Sequence, residues 1–130
     1  MKTAQKKTLD SLLREIIAYR DDGKCQMCGK SGREVSHIYS KAPIHHQNMR
    51  WMPENTFYAC HHCHFYKWHK EIIGSHDWYM KNIDEARRLE LSAEAMKPSK
   101  QMFGGDYEKI REYLMEEFEK IKNNKLCLQN

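Results

Sequence analysis

At 130 residues the chain has the size of one compact domain, which argues against a two-domain enzyme built around a deep interdomain cleft. Apolar residues make up 40% of it and the mean hydropathy is −0.90, too little for an extensive dry core, so five cysteines and eight histidines are candidates to help hold the fold. The net charge of +4 is unevenly placed: from Met1 to Gly74, 12 Lys and Arg stand against 7 Asp and Glu, whereas from Ser75 onward 10 stand against 11, which favours a polyanion contact in the first part. No run approaches the ~18 apolar residues of a membrane span, so a soluble, cytoplasmic protein without a membrane partner is expected.

In chain order, Leu9, Leu12, Leu13, Ile16 and Ile17 fall at i, i+3, i+4, i+7 and i+8. They form one apolar face of a helix that should stop near Asp22-Gly23. Cys25-Gln26-Met27-Cys28-Gly29 follows as a metal knuckle or tight hairpin. The alternation in Glu34 to Ser40 predicts a short strand with Val35, His37 and Tyr39 on one face. Lys41 to Asn55 has neither period and reads as a long loop. A helix is predicted from about Cys60 to Ile73, ended by Gly74, with Ser75 capping the next, roughly His76 to Met96. The last helix, about Asp106 to Lys122, carries a stripe of Tyr107, Ile110, Leu114, Phe118 and Ile121.

Two Cys-x-x-Cys pairs, Cys25/Cys28 and Cys60/Cys63, give the tetrathiolate shell that structural zinc prefers. Disulfides would need an oxidising compartment, and a redox motif would need only one pair. In small metallodomains ~10 kcal/mol or more of metal-binding free energy is coupled to folding. The fifth cysteine, Cys127, reads as a free thiol.

Between and beside the pairs lie Val35-Ser36-His37-Ile38, Arg50-Trp51-Met52-Pro53-Glu54-Asn55 and Cys60-His61-His62-Cys63-His64. Over Cys25 to about His69 these motifs resemble the zinc-bearing HNH (ββα-metal) endonucleases, most closely the phage lambda NinG/Rap recombination nucleases. The resemblance implies metal-dependent hydrolysis of DNA phosphodiester bonds, with branched or junction DNA as substrate and, since a symmetric junction needs two cuts, a homodimer. By resemblance His37 is the general base, Asn55 orients the loop or meets the catalytic metal, and His64 ligates one divalent cation, magnesium or manganese. One departure stands out: many relatives carry Asp or His before the base, where this chain has Ser36, a poor ligand.

The fold class expected is therefore α+β and mostly helical, in a single domain. It has a small ββα-metal core over 23–74 stapled by the four-cysteine zinc site, an N-terminal helix over 1–22 and a C-terminal helical extension over 75–130. Arg50, Lys41, Lys67 and Lys70 are the candidate nucleic-acid contacts, Arg50 as a clamp on the scissile phosphate. His69, five residues after His64, would lie about 140° away on an α-helix, so the two should not meet. Two non-catalytic readings compete with the nuclease: a zinc-ribbon DNA-binding module, and a structural zinc protein that mediates protein contacts.

Overall fold

The computed structural model describes residues 1–40 and 45–129. Helix α1 spans Thr3–Arg20 and ends where Asp22 (φ 56°) and Gly23 (φ 68°) turn left-handed. A two-stranded antiparallel sheet follows, β1 Glu34–His37 and β2 Thr56–Ala59, in a register pairing Glu34 with Ala59 and His37 with Thr56. A π-helical segment occupies Cys63–Trp68, and then come α2 Ile72–Asn82, α3 Glu85–Ala95 and the long α4 Tyr107–Gln129. The protein is thus mostly helical, with a small sheet and a four-cysteine cluster close to its strands. Among the described residues no helix is long and apolar enough to cross a membrane.

The apolar stripes at the two ends of the chain meet. Leu9, Leu13, Ile16 and Ile17 of α1 pack on Ile110 and Leu114 of α4 and on Trp51, every one of them essentially inaccessible to solvent. A second cluster joins Cys25, Phe57, Ala59 and Cys63, flanked by Trp68 and Trp78. Half-buried guanidinium groups tie the helices to the sheet. Arg20 donates to the carbonyls of Pro53 and Thr56, and Arg87 of α3 donates to those of Glu54 and Thr56. Asp21 completes this joint by accepting from the backbone N–H of Tyr58.

Several elements depart from expectation. The strand is shorter than predicted, and its fully buried residue is Ser36 rather than a member of the Val35, His37, Tyr39 set. The predicted helix from His76 to Met96 is two helices, broken at Ile83-Asp84 because Asp84 accepts from the N–H of Arg87 and starts α3 afresh. Gly74 lies within α2 instead of ending a helix. The hydroxyl of Ser75 donates to the carbonyls of Lys67 and Trp68, so it closes the preceding segment and does not open the following one.

Candidate metal centre and the face beside it

The first knuckle is built by a tight turn: the N–H of Gly29 donates to the carbonyl of Cys25, and that of Cys25 to the carbonyl of Lys30. Gly29 follows the second thiol at φ 79°, a conformation that disfavours any side chain. Gly32 closes the hairpin where a Cβ would come within 2.3 Å of the Tyr58 ring, so the knuckle packs directly onto β2. The second knuckle starts the π-helical segment, with the N–H of Cys63 directed at the sulfur of Cys60 at 3.4 Å.

All four sulfurs of Cys25, Cys28, Cys60 and Cys63 lie within 4.8 Å of one another, and Cys28 and Cys60 are 3.8 Å apart. A tetrahedral zinc with bonds of ~2.3 Å requires sulfurs about 3.8 Å apart, so the cluster has the dimensions of a zinc shell. Its donor chemistry agrees, four soft ligands with no carboxylate among them. Burial opposes ionisation of Cys25, but the backbone groups of Cys60, Cys28 and Met27 outweigh it and bring the thiol down to about 7. Burial and the neighbouring thiols of Cys60, Cys28 and Cys25 push Cys63 upward. These thiols release protons when metal binds. Four thiolates close the shell, the mark of a structural site.

The structure places the other candidates as follows. The Nε2–H of His37 donates to the carbonyl of Arg50 at 2.8 Å, and the ring lines a cavity of 310 Å³ with Val35, Ile38, Ser40, His64, Trp68 and His69. Asn55 is fully buried, its amide donating to the carbonyls of Tyr39 and Met49 while its oxygen accepts from the N–H of Tyr39. It clasps the two ends of the loop. Arg50 is held by Asp10 of α1 at 2.8 Å and lies 4.9 Å from the centre of the Trp51 ring. Trp51 donates to the same carboxylate, so both side chains anchor the loop to α1. Lys67 and Lys70 are exposed. Lys41 lies outside the described residues.

His64 and His69 do meet, against expectation, with Nε2 atoms 2.9 Å apart. The π-helical turn is the reason. The N–H of His69 bonds the carbonyl of His64, five residues back, which brings residues at i and i+5 onto one side. On its other nitrogen His64 donates to Glu34, which also accepts from His61 at 2.5 Å. Burial works against ionisation of Glu34, and the two imidazoles overcome it, holding the carboxyl below its usual range. Burial, with His64 beside it, lowers His69.

This geometry corrects the endonuclease reading. Hydrolysis of a phosphodiester needs a cation with an open position, a base and a phosphate clamp converging on one point. Among the described residues the four cysteines are the one group of His, Cys, Asp and Glu whose ligand atoms converge to hold a metal ion, and their shell is closed. Ser36, where the resemblance puts a metal ligand, is turned into the interior. The amide of Asn55 is committed to the loop, both nitrogens of His64 are engaged by Glu34 and His69, and the guanidinium of Arg50 is held by Asp10. A magnesium or manganese site at His64 is therefore not assembled, and the metal-binding function is that of the tetrathiolate.

The residues that sequence reasoning passed over are the rings after the second knuckle. Phe65 and Tyr66 are 44% and 48% exposed, with His61 stacked on Phe65 and His62 beside Tyr66. The signal was the i, i+4 spacing of the two ring pairs, which puts each pair on one helix face. Comparison with family models, with curated proteins and with solved structures finds no match to this chain.

Proposed function

We propose that the chain is a non-catalytic zinc-stapled module that binds nucleic acid through the face carried by the two knuckles. The observation that supports it is the division of labour among its cations. Arg20, Arg50 and Arg87 are drawn into the fold by carbonyls and carboxylates, whereas Lys24, Lys30 and Arg33 on the first knuckle, and Lys67 and Lys70 beyond the second, stay exposed. Exposed cations on a rigid frame suit a phosphate backbone, which they recognise without reading sequence. Zinc supplies no chemistry here beyond fixing the two knuckles.

The test is fluorescence anisotropy with labelled DNA over a range of salt concentration. Affinity should fall steeply as salt rises, and Lys67→Ala with Lys70→Ala should flatten the salt dependence by roughly two phosphate contacts. Binding that is absent, or indifferent to salt, removes the reading. A second reading, contact with another protein, is favoured by Ile72 and Ile73, which stand 80% and 88% exposed at the start of α2. Salt-independent capture of a protein that Ile72→Ser and Ile73→Ser abolish would favour it.

A further inference from the structure

We infer that the face beyond the second knuckle stacks unpaired bases, so that the nucleic acid it takes is single-stranded; this rests on the nucleic-acid reading above. Four rings stand here in two pairs, the histidines inside the knuckle and Phe65 and Tyr66 beyond it. His61 lies parallel to Phe65, with an interplanar angle of 10° and centroids 5.7 Å apart, and His62 lies 5.3 Å from Tyr66. Phe65 and Tyr66 meet edge to face at 82°, so their planes present two differently directed stacking faces. The Nζ of Lys70 sits over both, 4.6 Å from the Phe65 centroid and 5.3 Å from that of Tyr66, and the exposed Lys67 lies on the same segment.

These rings are not the core of the segment. Trp68 is, since it meets Phe57 and Trp78 edge-on and donates to the carbonyl of His37. Phe65 and Tyr66 stay nearly half exposed although the chain has few apolar residues to spare. Exposed aromatic faces with a cation over them match the two parts of a single strand, a flat base and the phosphate beside it. A duplex offers only the second part, because each base face inside it is already covered by its neighbours.

The experiment measures affinity of the zinc-loaded protein for three labelled ligands at one salt concentration: an oligothymidylate, an abasic strand of equal length, and a duplex. The oligothymidylate should bind at least ~10-fold more tightly than the abasic strand, a stacking contribution of the size seen for one base on one ring. Phe65→Ala with Tyr66→Ala should abolish that ratio while leaving affinity for the abasic strand and zinc content unchanged. Equal affinity of the unaltered protein for the base-bearing and abasic strands overturns the stacking inference and leaves the phosphate-binding reading standing. Failure to bind any of the three overturns both. The comparison among ligands uses the unaltered protein, so it does not depend on how the variants fold.

Discussion

The two ends of the molecule are held by different physics. Where α1 meets α4, stability comes from apolar surface: Leu9, Leu13, Ile16, Ile17, Ile110 and Leu114 interlock with Trp51, the kind of contact worth roughly 1.5–3 kcal/mol per fully buried side chain. Around the knuckles the buried cluster is Cys25, Phe57, Ala59 and Cys63, so two of its four members are metal ligands and one is an alanine. Phe57, Trp68 and Trp78 supply packing at that end, and the tetrathiolate adds coordination to it. The proposed binding face is attached to the metal-held end.

Removing zinc breaks this comparison most sharply. Chelation or Cys63→Ser should cost on the order of 10 kcal/mol at the knuckles. In hydrogen exchange, amides of the two knuckles, around Cys25 to Lys30 and Cys60 to His64, should lose protection well before those of α1 and α4. Simultaneous loss at both ends would show that they are one cooperative unit. Acid should act in the same direction, since protons compete with zinc for the thiolates and metal release should be complete well below neutral pH.

Leu13→Ala attacks the other end. It removes a fully buried side chain and should destabilise by ~2–5 kcal/mol in denaturant unfolding while zinc content stays at one per chain. A variant that also lost its zinc would erase the distinction between the two regions. Asp10→Ala tests the link between them, because one carboxylate accepts from both Arg50 and Trp51 and so pins the loop to α1. About 1–3 kcal/mol should be lost, with the retention of zinc as the control.

The smallest effect concerns Glu54. Burial holds its carboxyl above the ordinary 4.5, and Glu117 and Glu90 add to this against its own backbone hydrogen bond. The folded state therefore binds this proton more tightly than the unfolded chain. The stability it lends is full below 4.5 and is lost as pH rises through the folded value. At pH 7 the carboxylate is a burden, so Glu54→Gln should raise Tm by about 2–3 °C there, and the gain should shrink toward pH 4. A gain that persists undiminished in acid would mean that the charge is not its origin.

Much of this was legible in residue spacing and some was not. The stripes of α1 and α4 and the two Cys-x-x-Cys pairs announce themselves because helical burial and tetrahedral coordination each impose a fixed interval on the chain. The π-helical segment does not, since nothing in Cys63 to Trp68 distinguishes a five-residue hydrogen-bond step from a four-residue one, and the contact between His64 and His69 depends on it. The fates of Asn55 and Arg50 were hidden for another reason. A polar side chain beside a motif can serve a ligand or the loop, and here the loop carbonyls and Asp10 claim them through contacts that no local pattern encodes. The break between α2 and α3 was missed because apolar residues continue through Ile83 while the Asp84 cap overrides them.

If the tetrathiolate holds the proposed binding face in place, affinity for an oligothymidylate against zinc occupancy, followed in one titration with a chelator, measures it directly. Affinity should fall in proportion as zinc leaves and return when zinc is restored. Undiminished binding by the zinc-free protein would contradict the account.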